Sequence, residues 1–230
     1  GVGTIKVGGD IRDIVPALYL TKEPMREYSS IKVGSSGWAQ SKQVIEAASM
    51  DYSFLLVEGA MSAFTGLLNE KYKRPMSSVE VAAALGASTV LVVACDQKGI
   101  EGALIEAVTN VTALRSLGVD VRGVILNKLY ISYMTKEIQT IVEQAFTNVG
   151  VKLLGMVPRL NLEHRGMIPE VEIRYEDFCS QAIEAIEKSL DLDKLVEIAG
   201  APSLREIDYD ELAAKFKALL TDPTAKNVGL

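Results

Sequence analysis

The chain has 230 residues, 48% of them hydrophobic and 23% charged; at about 150 residues per domain that is one large domain or a tight pair, with ample core. This composition excludes disorder, collagen-like repeats and a disulfide-stapled miniprotein. Lys and Arg number 24 against 30 Asp and Glu, a net charge of −6 without any basic tract, so nucleic acid is not an expected partner.

The two cysteines, Cys95 and Cys179, lack metal-ligand spacing, and Cys95 ends an apolar run, which reads as a buried, reduced thiol. A single histidine, His164, excludes a His-rich metal site. The longest apolar run, Val81 to Cys95, is broken by Gly86, Ser88 and Thr89 and falls short of the roughly 18 residues a membrane span needs. No basic-then-apolar leader opens the sequence. The expectation is a soluble, cytoplasmic protein with no membrane partner.

In chain order, a helical pattern at Ser41 to Ser49 leads into an apolar strand at Ser53 to Val57. Ser78 to Leu85 leads into Thr89 to Ala94, Gly102 to Leu117 into Gly123 to Leu126, and Ser132 to Val149 into Lys152 to Val157. Gly86, Gly118 and Gly150 close the last three helices, where a left-handed cap favours glycine. Short Val, Ile and Leu runs alternating with helices predict an α/β fold, a parallel sheet flanked by helices on both faces. Thr89 to Ala94, apolar on both faces, is expected to be its central strand. After Pro158 the cadence stops; a polar loop precedes helices at Tyr175 to Ser189, Leu192 to Ile198 and Tyr209 to Leu220. The first of these carries Phe178, Ala182, Ile183, Ala185 and Ile186, a stripe expected to be core. The expected organisation is an α/β domain over 1–200 and a helical tail over 201–230.

Ligands of an open parallel sheet sit beyond the carboxyl ends of its strands. There the sequence places Glu58-Gly59, Asp96-Gln97-Lys98, Asn127-Lys128 and Pro158-Arg159, all expected on one edge. Glu58 reads equally as a ligand for Mg²⁺ between phosphates and as a solvated strand-end acid. Asn127 carries both a donor and acceptors, which suits an adenine edge; an isolated Asn after a strand is more often a turn residue. Asp96 reads first as a helix cap. Ser77 and Ser78 open a helix as caps, and a hydroxyl beside free N–H groups also suits a carboxylate or phosphate. Trp38 reads as a packing residue. The motif G-x-x-x-x-G-K-[ST] does not occur; Gly34 to Lys42 has the wrong spacing. A phosphate cradle of the Walker kind is therefore absent from these 230 residues, which by themselves are expected to bind ATP poorly.

The ordered segments VGGDIRDIVPALY from Val7, FLLVEGAMSAFTG from Phe54 and SSVEVAAALGASTVLVVACDQKG from Ser77 are followed by GVILNKL from Gly123. LLGMVPR from Leu153, LEHRGMIPEVE and DLDKLVEIA complete the set. Together, over roughly residues 5 to 200, the chain resembles the synthetase domain of cobyrinic acid a,c-diamide synthase, in the wider group of dethiobiotin synthetase and MinD/ParA-type P-loop NTPases. The late segments favour the diamide synthase branch.

That resemblance implies Mg-ATP-dependent amidation: ATP activates a substrate carboxylate as an acyl phosphate, and ammonia displaces the phosphate. It implies that Glu58 helps bind Mg²⁺, with Asp10 near metal and substrate and both acids catalytic. Ser77 and Ser78 would lie near the substrate carboxylate, and Asn127, Pro158 and Arg159 would hold the nucleotide. The implied partners are a small-molecule carboxylate and an ammonia donor or glutaminase partner domain, with a homodimer possible. The family's P-loop unit and a Lys-Pro strand end are expected to precede Gly1, and the His-Arg order in LEHRGM is reversed. The alternatives are a non-catalytic nucleotide-sensing or partner-binding module and a dethiobiotin synthetase-like carboxylase/cyclase.

Overall fold

The computed structural model describes residues 1–8, 11–31, 37–60, 62–68, 78–160 and 175–221. The chain divides into two compact units. One comprises residues 1–87, 116–119 and 202–230, the other 88–115 and 120–201.

The first unit is built on a three-stranded parallel sheet in the order β2-β1-β3: β1 (Val2–Val7), β2 (Ser30–Ile31) and β3 (Phe54–Glu58). Its helices are α1 (Val15–Thr21), α2 (Gly37–Asp51), α3 (Ser78–Leu85) and, late in the chain, α8 (Tyr209–Thr221). Ile5, Val7 and Ile31 bury one sheet face against Ile45 and Ala48 of α2 and Val81, Ala84 and Leu85 of α3. Side chains alternate across a strand, so Thr4 and Lys6 point to the opposite face from Ile5 and Val7. In register, Thr4 pairs with Leu56 and Lys6 with Glu58. Phe216 of α8 stacks on Phe64, centroids 5.6 Å apart. Neither β1 nor α1 is among the expected elements. β1 carries a lysine inside its apolar run, and α1 is only seven residues long with a proline in its first turn.

The second unit carries the parallel sheet β4-β5-β6: β4 (Thr89–Ala94), β5 (Val121–Leu129) and β6 (Lys152–Pro158). Its helices are α4 (Gly99–Ser116), α5 (Lys136–Asn148), α6 (Tyr175–Ser189) and α7 (Leu192–Ile198). On α4, Ala103, Ala107, Val111 and Leu114 form a fully buried stripe at helical spacing. Gly155 lets the α6–α7 connection lie directly on β6. It bridges to Leu190, the Asp191 N–H donates to the Leu154 carbonyl at 2.8 Å, and a Cβ at 155 would overlap the Ser189 carbonyl.

Gly86, Gly118 and Gly150 all have positive φ, as their expected capping role requires. Two expectations are corrected. Thr89 to Ala94 is an edge strand of its sheet, with Val92 57% exposed; the central strand is β5, whose Val121, Val124 and Leu126 are fully buried. An apolar run signals burial but not its neighbours, which are set by pairing across the chain. The α6 stripe is only partly covered: Ala185 is buried, Phe178 and Ala182 are half-buried, and Ile183 and Ile186 are exposed. Among the described residues, no helix is long and apolar enough to cross a membrane.

Candidate functional site

In the first unit the ends of β1 and β3 bring a cation to two acids. Lys6 is 5% exposed, and a buried ammonium requires partners. Its Nζ donates to Glu58 Oε1 at 3.0 Å and to the Gly59 carbonyl at 2.7 Å, and lies 3.5 Å from Asp13 Oδ2. The acids face water: the Glu58 side chain is 57% exposed and that of Asp13 about as much. One residue beyond Gly59, the Ala60 N–H donates to Ser78 Oγ at 2.6 Å. Gly59 leaves room for that approach, since a Cβ there would stand 2.7 Å from the same oxygen and push the Ser78 hydroxyl aside. Glu58 and Ser78, two residues singled out from the sequence, thus share one strand-end cluster with Lys6 and Asp13. Sequence reasoning passed over the latter two. Lys6 was detectable as the single charge inside VGTIKV, and Asp13 as the second acid of DIRD. Asp10 and Ser77 lie outside the described residues.

In the second unit β5 carries a bulge at Asn127-Lys128. The register passes from Leu126↔Met156 to Leu129↔Pro158, one residue longer on β5 than on β6. Lys128 takes up the extra length with φ of +58°, unusual outside glycine. The Asn127 Oδ1 accepts the Lys128 N–H at 2.8 Å, and its carbonyl accepts the Cys95 N–H at 2.8 Å. The turn reading of Asn127 is therefore realised, yet Oδ1 keeps a second lone pair and Nδ2 has no partner among the described residues. Pro158 stands in register beside Leu129, and the Arg159 N–H donates to the Leu129 carbonyl at 2.9 Å. Asp96 faces Lys128 across 3.8 Å rather than capping α4. Burial pushes the Cys95 thiol up from its ordinary pKa, and both cysteines are buried and unpaired. Asn127, Pro158 and Arg159 therefore do share one strand edge.

Glu58 ends a strand of the β2-β1-β3 sheet, whereas Asn127 and Pro158 belong to β4-β5-β6. Sequence order places these strands one after another but does not say which of them pair.

Residues 26–164, more than half of the chain, match the sequence model of a family described as an AAA domain. The chain belongs to that AAA-domain family. With parallel sheets flanked by helices, this makes the fold α/β of the P-loop NTPase type. Over 96 residues, 39% of the chain, it is 33% identical to a cobyrinate a,c-diamide synthase of Archaeoglobus fulgidus. That match spans 20% of the relative's own length. No solved structure matches the chain.

Proposed function

We propose that this AAA-domain chain is the synthetase part of a Mg-ATP-dependent, amide-forming ligase that acts on substrate carboxylates. The observation that carries the reading is the Lys6–Glu58–Ser78 cluster at the strand ends; the similarity to a cobyrinate a,c-diamide synthase supports it.

The donor chemistry fits the cation. Mg²⁺ takes one or two carboxylates together with phosphate oxygens, and Glu58 and Asp13 supply two half-exposed carboxylates. Among the described residues no three His, Cys, Asp or Glu cluster as an all-protein metal cage. When bound, the ion would neutralise charge on the transferring phosphoryl group.

Lys6 holds a buried positive charge where an anionic oxygen of substrate or phosphate would compete with Glu58 for Nζ. That exchange would leave Glu58 free to hold the ion and would keep the lysine paired. Ser78 Oγ, already bonded to the Ala60 N–H, keeps its own hydrogen to donate to a carboxylate. In the same reading Asp10 and Ser77 extend this set. Asn127, Pro158 and Arg159 hold the adenine, and ammonia comes from a donor or glutaminase partner domain.

One observation favours a second reading, a nucleotide-sensing or partner-binding module: no Walker sequence occurs in these 230 residues. The two are separated by phosphate release from ATP in the full-length natural protein, measured with and without a polycarboxylate acceptor and ammonium. Release that requires both supports the ligase. Glu58→Gln should then abolish turnover with adenine affinity retained, while Asn127→Leu raises the KM for ATP and relaxes preference over GTP. Release indifferent to the acceptor overturns the ligase reading.

A further inference from the structure

Just past the β5 bulge, three planar side chains meet. Arg159 Nη1 donates to the Tyr130 hydroxyl, and its guanidinium carbon lies 5.4 Å from the centre of the Tyr130 ring. Both contacts hold the guanidinium at the phenolic end of that ring. Tyr133 stands edge-on to Tyr130, centroids 6.4 Å apart with 75° between planes. A one-turn 3-10 segment, Ile131–Tyr133, holds this angle, its Met134 N–H bonded back to the Ile131 carbonyl. Tyr130 is 44% exposed and Tyr133 73% exposed.

Two neighbouring tyrosines left in water cost hydrophobic burial that their hydroxyls do not require. The two rings meet near a right angle with a fixed cation at the hydroxyl of Tyr130, and both keep much of their surface in water. Backbone bonds tie the corner to the Asn127 edge: the Arg159 N–H holds Leu129, which follows the Asn127-Lys128 bulge.

We propose that Tyr130, with Arg159 and Tyr133, is a stacking corner for the flat face of a purine base, and that Tyr130 is a positioning residue for the nucleotide. The inference rests on the nucleotide reading above. Asn127 meets the base edge, with Nδ2 donating to a ring nitrogen and the remaining lone pair of Oδ1 accepting from an exocyclic amine. Tyr130 meets the base face, and the guanidinium at its rim deepens the stack. Tyr133 bounds the corner and limits the width of the ring accepted, so a purine fills it where a pyrimidine leaves part of the Tyr130 face in water.

The test uses AMP, which carries the base without the phosphates a Walker loop would hold, with ribose 5-phosphate and CMP as controls. Saturation-transfer NMR on the full chain should show transfer strongest at adenine H2 and H8, with ribose 5-phosphate failing to compete and CMP binding more weakly. Tyr130→Ala should weaken AMP about tenfold, the scale of one base–aromatic stack, with an unchanged melting temperature. Tyr130→Phe, which keeps the ring and loses only the bond to Arg159, should restore most of the affinity. If Tyr130→Ala fails to fold, Arg159→Met reads the same corner and should weaken AMP by about threefold. If Asn127→Leu weakens AMP but neither variant at the corner does, the corner is overturned and the nucleotide reading stands. Absence of any adenine transfer, or equal binding of ribose 5-phosphate, overturns the corner and the base-binding role of Asn127 together.

Discussion

Lys6 and Glu58 meet across neighbouring parallel strands, Nζ 3.0 Å from Oε1, and the two ends of the pair lie in different media: the lysine is buried, the glutamate faces water. The pair is therefore asymmetric. Removing the exposed acid strands a buried charge, whereas removing the buried cation leaves two carboxylates that water can solvate. Glu58→Ala should cost about 1–2 kcal/mol, because Lys6 keeps only the Gly59 carbonyl and Asp13. Glu58→Gln preserves an acceptor at Oε1 and should cost less, and Lys6→Met, of similar length and apolar, should come close to neutral. Urea unfolding of the three variants checks the order. A Lys6→Met variant far less stable than Glu58→Ala would mean that the buried charge is itself a net stabiliser.

Two strands of one sheet predict opposite fates for the same substitution. Val124 on central β5 is fully buried, so Val124→Asp places an unpaired charge in the interior and should abolish folding. Val92 on edge strand β4 is more than half exposed, so Val92→Asp should give a soluble chain that melts cooperatively. Circular dichroism melts of both decide it. An unfolded Val92→Asp variant would show that β4 is covered in solution.

Gly155 has no room for a methyl group. A Cβ there would lie 3.0 Å from Leu190 Cα and overlap the Ser189 carbonyl, and both are backbone atoms that cannot rotate away. Gly155→Ala should destabilise the second unit by about 3 kcal/mol, at the upper end of overpacking costs, and should break the bridge to Leu190. Gly118→Ala, where the added Cβ meets nothing, carries only the left-handed φ of +88° and should cost about 1 kcal/mol. Thermal denaturation of the pair separates packing from conformational strain.

Helix α7 begins at a pH-sensitive cap. Asp191 Oδ1 accepts the Lys194 N–H at 3.0 Å while Oδ2 lies 2.9 Å from Lys194 Nζ. The backbone hydrogen bond first, and the lysine side chain second, hold this carboxyl below its ordinary 3.8. A depressed carboxyl contributes its stability fully above its unfolded value and loses it as pH falls through the lower folded one. Stability should therefore fall below pH 3.8, and Asp191→Asn, which keeps the capping oxygen, should remove that part of the slope. Denaturant midpoints from pH 2.5 to 6 provide the comparison, to about 0.1 M in midpoint; identical slopes for both proteins would show that the cap does not titrate.

Much of this protein is written locally. The boundaries of α3, β4, α6 and α7 follow from periodicity, caps and apolar runs, because each is decided by residues within a few positions of one another. The same locality places Glu58 and Pro158 at strand ends and makes an α/β fold legible before any coordinates, whereas Asn127, read as following its strand, sits at a bulge inside β5. What stayed hidden depends on distant pairing. VGTIKV reads ambiguously until β3 lies beside it and Glu58, 52 residues on, neutralises Lys6. β4 reads as a central strand until the sheet order puts β5 in the middle. Tyr130 draws no notice in the sequence until β5 and β6 come into register and bring it to Arg159, 29 residues on. Sequence period determines which way a side chain faces and how long an element runs. Only tertiary structure decides which charge shares a buried space with which acid, because burial and charge pairing are properties of neighbours in space.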